Sequence, residues 1–230
     1  MPKVNEDYLQ KKRDEILDAA FEVCRRKPAY DVTMSDIVAE TGMSQGGVYK
    51  YFNNIYSVYA ALVDRANRKG DRIERIDRIM ASEALPEEKI KALFEISGDF
   101  FSDMLISYNK ILFELSSFSM QNPDQGKMID EQTTVMPVFP YLLRCVSEVI
   151  MTSANEGYFE PLIPANEILA FLVASFDGII RDVTLNKCYH TEAAEVSFFD
   201  ETKLISCLYL STMNLLGKNE IKNKSERNET

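Results

Sequence analysis

The stretch TMSDIVAETGMSQGGVYKYF, Thr33 to Phe52, decides how the rest of the chain is read. Met34, Ile37, Val38 and Thr41 recur at helical spacing and predict a short helix. Thr33 stands where an N-cap belongs, and Asp36 three residues later completes a capping box in which Asp replaces the usual Glu. Gly42 follows where a helix must stop, because glycine takes the left-handed C-cap conformation without steric cost. Ser44 can cap a second helix in which Val48 and Phe52, four apart, share one face. Gln45, Gly46, Tyr49 and Lys50 then face elsewhere. Gly46 and Gly47 each cost about 1 kcal/mol of helix propensity relative to alanine, which implies that something approaches the backbone closely there. A capped helix, a glycine turn and a second short helix make a helix-turn-helix. Its DNA-binding form lays the N-terminal end of the second helix in the major groove. A helical corner of an ordinary bundle has the same spacing, so spacing alone leaves both readings open.

Upstream, Leu9, Ile16, Leu17, Ala20, Phe21 and Cys24 lie on one helical face, and that helix should end before Pro28. Lys27 to Val32 then connect. Downstream, Tyr56 to Met80 reads as one long helix with Gly70 as a weak spot. Pro86 opens a helix with the stripe Ile90, Leu93, Phe94, Phe101 and Leu105. Tyr108 to Met120 is a further helix, broken at Asn122-Pro123. Pro137 and Pro140 should bend or restart the helix that runs through Leu142 to Met151. Glu167 to Leu185 and Leu204 to Leu216 are apolar on more than one face, so each must be buried by more than one neighbour. After Gly217 the tail is polar.

The net charge of −10 over 230 residues is unevenly placed. Residues 1–70 hold 11 Lys and Arg against 10 Asp and Glu, a net of +1, so nearly all the acidity belongs to the remainder at −11. Such asymmetry suggests different partners for the two parts. Cys24, Cys145, Cys188 and Cys207 are widely spaced and His190 stands alone, which points to reduced thiols and to neither a disulfide framework nor a metal site. The chain carries no G-x-S-x-G, H-E-x-x-H, P-loop or dinucleotide fingerprint, so no enzyme constellation and no cofactor is expected. Ile168 to Phe176 and Val135 to Leu143 fall short of the ~20 residues that cross a bilayer. The basic N-terminus has no apolar signal core after it, and the chain reads as cytoplasmic.

The run ILDAAFEVC (Ile16 to Cys24), Tyr30-Asp31, Thr33 to Phe52 and a helix opening at Asn54 resemble the TetR family of transcriptional regulators over about 45 residues. Cys24 departs from the family's usual aromatic, Pro28-Ala29 from a single glycine, and Ile55-Tyr56 from a lysine that often meets DNA phosphate. Asn54 or Tyr56 could supply that contact instead. The resemblance implies an all-α fold of about nine helices. A three-helix DNA-binding domain would occupy 1–55, an effector-binding and dimerisation domain 56–217, and a polar tail 218–230. It also implies a homodimer on a near-palindromic operator, paired through the last two helices, where Ile180, Val183, Leu204, Leu208 and Met213 are the candidates.

Phosphate contacts would fall to Lys11, Lys12, Arg13, Thr33, Lys50 and Tyr51. Base reading would fall to Ser44, Gln45 and Tyr49, with Gly46 and Gly47 clearing space. A small-molecule pocket would draw on Phe113, Phe118, Met136, Phe139, Phe171 and Phe176, with Phe100, Met104 and Met120 as further apolar material. Glu114 and Asp177, acidic residues set in apolar runs, would favour a neutral or cationic hydrophobic effector, pair with Arg144 or Arg181, or reach solvent. The expected function is a repressor released by such a compound. Two alternatives are a regulator controlled by a protein partner or by redox, and an all-α enzyme or carrier.

These roles predict that Lys50→Ala weakens binding to all DNA sequences by a similar factor and lowers the salt slope by about one unit, whereas Gln45→Ala changes which bases are tolerated. Fluorescence anisotropy against a selected operator and its point variants, over a salt series, checks both. A change of base preference in Lys50→Ala with an unchanged slope would reverse the assignment.

Overall fold

A computed structural model of the chain describes residues 6–68, 71–105, 108–189 and 200–217, apart from the side chains of 103–105. Gly70, His190, the tail 218–230 and the side chains of Met104 and Leu105 lie outside the described residues. The described chain is all helical, with eleven α-helices where about nine were expected. The chain divides into two compact units, one of residues 1–69 and 108–136, the other of 70–107 and 137–230.

The first unit opens with α1, Glu6–Arg26, which ends before Pro28 as expected, and a single 3-10 turn, Ala29–Asp31, follows. The next helix, α2, is Met34–Thr41. The Thr33 hydroxyl accepts the Asp36 N–H at 3.2 Å while the Asp36 carboxylate accepts the Thr33 N–H at 2.8 Å, the reciprocal pair of a capping box. Gly42 has φ +64°, the left-handed turn that glycine adopts freely. Helix α3 is only Gln45–Tyr49, and the Ser44 hydroxyl accepts the Gly47 N–H at 3.2 Å to cap it. Helix α4 is Ile55–Arg68, with the Asn54 side chain accepting the Ser57 N–H at 2.9 Å at its start.

Helix α5, Arg72–Met80, is separate from α4, so the long helix expected over Tyr56 to Met80 is two. Between them the sequence places Gly70, costly in a helix, and Asp71, a residue that favours helix starts. Helix α6 is Pro86–Leu105, α7 is Asn109–Gln121 and α8 is Pro123–Asp130, its proline in the first turn where no backbone donor is missed. A Cβ on Gly126 would come within 2.7 Å of Ser119 Cβ, so glycine lets α8 close onto α7.

One core unites these pieces of the first unit. Ile16, Ala20 and Cys24 of α1, Ile37 of α2, Val48 and Phe52 around α3, Val58 and Leu62 of α4, Ile111 and Leu115 of α7 and Ile129 of α8 are all buried together. Helices α7 and α8 therefore join the compact unit that contains the helix-turn-helix, although α5 and α6 separate them from it in sequence.

The second unit contains α5, α6, α9 (Val138–Asn155), α10 (Ala165–Tyr189) and α11 (Glu201–Leu216). Pro140 sits in the first turn of α9, so that helix starts at Val138 without a restart at Tyr141. Phe94, Phe101, Phe139 and Phe176 form an aromatic cluster, with Phe139 and Phe176 ring centroids 5.3 Å apart and Phe101 and Phe139 5.1 Å apart. Such tilted and edge-to-face contacts add to what area burial contributes.

The Lys27 ammonium, 2.8 Å from the Asp36 carboxylate, and the bonds from Thr33 hold that carboxyl down at a pKa of about 2. A depressed carboxyl pKa adds stability that is complete above the unfolded value of about 4 and is lost as pH falls through about 2. Asp36→Asn should therefore flatten the acid-side decline of the melting temperature across that window, and Thr33→Ala should cost about 1 kcal/mol at neutral pH. Parallel acid profiles for the wild type and Asp36→Asn would show that this carboxylate does not support the motif.

Candidate nucleic-acid interface

Two short helices cannot hold a shape without a core beneath them, and here Val48 at 0% exposure and Phe52 at 1% supply the anchor. With these two inside, Gln45, Gly46, Tyr49 and Lys50 are exposed on the other side of α3, together with Ser44 at its start. A Cβ on Gly46 would have nothing within 4 Å, so nothing in the described chain requires glycine at that position. Gly47 differs, because a Cβ there would lie 3.2 Å from the Ser44 hydroxyl that caps the helix. The surface left open at Gly46 and Gln45 is polar, has little side-chain bulk, and sits at the N-terminal end of the helix. That is what close approach to base edges requires.

The charged candidates sort into free and committed side chains. Lys50 is exposed and caps the end of α3, with its ammonium 6.0 Å from the Tyr51 ring. Lys50 and Lys11 have no acidic partner among the described residues, which leaves them available to phosphate. Lys12 instead pairs with Glu15 at 2.5 Å. Arg13 lies over the Phe52 ring, 4.3 Å from its centroid, and donates to the Tyr51 carbonyl at 3.4 Å, so it braces the chain leaving α3. The Thr33 hydroxyl and N–H are both taken up by Asp36. Tyr51 is half-buried beside the core. At the start of α4, Ile55 and Tyr56 pack against the core and the Asn54 side-chain oxygen is engaged in its cap, which leaves the Asn54 amide group as a donor.

The apolar and acidic candidates for an effector site divide between the two units. Phe113, Glu114, Phe118 and Met136 belong to the first, and Phe139, Phe171, Phe176 and Asp177 to the second. Glu114, the buried acid of α7, pairs with Lys110 at 2.9 Å and accepts the Ala29 N–H at 2.7 Å. The Phe118 ring stacks on Tyr30 at 6.3 Å, and Met136 is exposed. In the second unit Phe139 and Phe176 meet in the aromatic cluster, while Phe171 and Asp177 are exposed. Arg72 is the one buried charge among the described residues of that unit, its guanidinium 5.5 Å from the Phe100 centroid. The sequence reading did not single it out, because an arginine in the charged run RIERIDR gives no local sign of burial.

Of the dimerisation candidates, Val183 and Leu208 are buried within the protomer, and Ile180, Leu204 and Met213 are partly buried. Among the apolar side chains that α10 and α11 leave exposed are Phe171, Val173, Leu185 and Leu210, the last at 64%. Helices α10 and α11 are apolar on more than one face, so periodicity does not say which stripe faces inward.

Residues 16–62 match the family model described as bacterial regulatory proteins, tetR family. The chain is 25% identical over 212 residues to the HTH-type transcriptional regulator YfiR of Bacillus subtilis (strain 168), covering 92% of this chain and 96% of that one. Its fold is similar to that of the fatty acid degradation regulator FadR of Bacillus halodurans, at TM-score 0.57 and 20% identity over 87% of this chain and 94% of the other. It is similar also to the transcriptional regulator FadR of Bacillus subtilis, solved in complex with stearoyl-CoA, at TM-score 0.59 and 16% identity over 86% and 96%. The family match thus falls on the helix-turn-helix, residues 16–62, and along nearly its whole length the chain is similar to helix-turn-helix transcriptional regulators.

Proposed function

We propose that the chain is a repressor that binds a near-palindromic operator as a homodimer and is released from it by a hydrophobic small molecule. The observation that carries the DNA part is the exposed end of α3, where Gly46 has open space around it and Gln45, Tyr49 and Lys50 have no role in the core. In this reading Ser44, Gln45 and Tyr49 select bases, and Lys50 and Lys11 meet phosphate. Residues 1–55 read DNA, 56–217 sense and dimerise, and 218–230 form a polar tail. The protein acts in the cytoplasm, and its work is binding, with no catalysis.

The aromatic cluster of α6, α9 and α10 supports an apolar effector, since an apolar ligand can replace one ring's contacts with its own. The structural relative FadR of Bacillus subtilis, solved with stearoyl-CoA, gives the same indication. A preference for cations loses its ground, because Glu114 is engaged by Lys110 and Asp177 is exposed. The buried charge beside an aromatic ring in the second unit, Arg72, is positive. For dimerisation we assign the exposed apolar side chains of α10 and α11, Phe171, Val173 and Leu210 among them, whose apolar area in water would be covered by a second copy.

Gly46→Ala separates stability from function. It should leave the melting temperature unchanged or raise it, since alanine favours a helix by up to about 1 kcal/mol over glycine. Operator affinity should fall by about tenfold or more, comparable to one lost base-pair contact. Undiminished operator binding by this variant would count against α3 as the reading helix. Leu210→Glu should give monomers in sedimentation, whereas a charge at the buried Leu208 should damage the fold itself. An effector at a hundredfold excess over its Kd should stabilise the chain by about 2.7 kcal/mol and release operator. A screen in which no apolar compound does either would leave a regulator without a small-molecule effector.

A further inference from the structure

The connection between α1 and α2, residues 27–32, precedes the Thr33 cap and so sets where the helix-turn-helix begins. Its backbone polar groups are held by side chains from distant parts of the sequence. The Lys110 ammonium donates to the Cys24 carbonyl at 2.8 Å and the Lys27 carbonyl at 3.1 Å, at the C-terminal end of α1 where a cation also suits the helix dipole. The Glu114 carboxylate, one turn along α7, accepts from Lys110 at 2.9 Å and from the Ala29 N–H at 2.7 Å. The Tyr59 hydroxyl of α4 donates to the Ala29 carbonyl and lies 3.0 Å from that of Val32. Lys110 and Glu114 keep only 15% and 6% of their side-chain surface.

A second polar tie fixes the chain just beyond α8. Asp64 of α4, itself buried, accepts the N–H groups of Thr134 and Val135, each at 2.9 Å, just after α8. Between the two ties Ile111, Leu115 and Ile129 share the core of α1 to α4. A buried ion pair carries a large desolvation cost and adds little net stability as such, so its use here is geometric. One carbonyl in the last turn of α1 and one carbonyl and one N–H of the irregular connection after it are bound by a single pair, which fixes α7 against that connection in one register.

We infer that Lys110 and Glu114 are positioning residues for DNA reading: they lock α7 onto the α1–α2 connection and thereby orient the helix-turn-helix, though neither lies on it. The inference rests on the reading of residues 33–52 as the operator-binding motif. Removing the lock leaves the α3 surface chemically intact but lets its angle vary. Phosphate contacts tolerate such freedom, and base contacts do not.

The test uses the full chain and the charge-balanced double variant Lys110→Met/Glu114→Leu, which leaves no buried charge unpaired, at a temperature well below its melting transition. Anisotropy is measured on a selected operator and on a scrambled duplex, with Glu114→Gln as the conservative variant that retains an acceptor for the Ala29 N–H. The expected result is a loss of about tenfold or more on operator with scrambled-duplex affinity unchanged, and substantial retention in Glu114→Gln. An unchanged ratio of operator to scrambled affinity in the folded double variant overturns the inference, as does an equal loss on both duplexes. An absence of sequence-selective binding by the wild-type chain overturns the operator reading and this inference with it.

Discussion

Everything at the exposed surface of α3 depends on Val48 and Phe52 being inside. A five-residue helix has no stability of its own, because nucleation costs more than so few hydrogen bonds return. Helix α3 exists because these two side chains enter the core between α1, α2 and α4, because Gly42 turns the chain in the left-handed region, and because Ser44 caps the first turn. Once Val48 and Phe52 point inward, the direction of Gln45, Gly46, Tyr49 and Lys50 follows from helix geometry alone.

The electrostatics of this surface are economical. Around the helix-turn-helix, Lys12, Arg25, Arg26 and Lys27 each have an acidic partner, in Glu15, Glu22, Glu40 and Asp36. Among the described residues Lys11 and Lys50 are left free of one, so in the proposed reading α1 and α3 offer few phosphate contacts per protomer, each adding about 0.9 to the salt slope. In the proposed dimer, two protomers on one operator would double that number and place two reading helices at a fixed spacing, so that dimerisation would supply affinity as well as register, which fits a chain whose acidity is concentrated beyond residue 70.

What was legible in the sequence was local. The capping box of Thr33 and Asp36, the turn at Gly42, the cap at Ser44 and the inward pair Val48 and Phe52 each involve residues within four positions of one another, and each stands in the structure. What escaped was long-range. Glu114 meets Ala29 across 85 positions and Lys110 meets Cys24 across 86, and no spacing rule marks such a pair. Membership of α7 and α8 in the first compact unit was hidden for the same reason. Arg13 was legible as polar and near the reading helix, but its task as a brace over Phe52 joins residues 39 positions apart, which no spacing rule marks. On α10 and α11 the abundance of apolar residues concealed which stripe the protomer keeps for itself.

The most direct measurement is a hydroxyl-radical footprint of the full chain on an operator obtained by binding-site selection. A two-fold dimer reading DNA through residues 44–51 predicts two protected segments on one face of the duplex, with centres about 10 base pairs or a multiple of that apart, related by the operator's own symmetry. A single protected segment, or two with no symmetry between them, would contradict it.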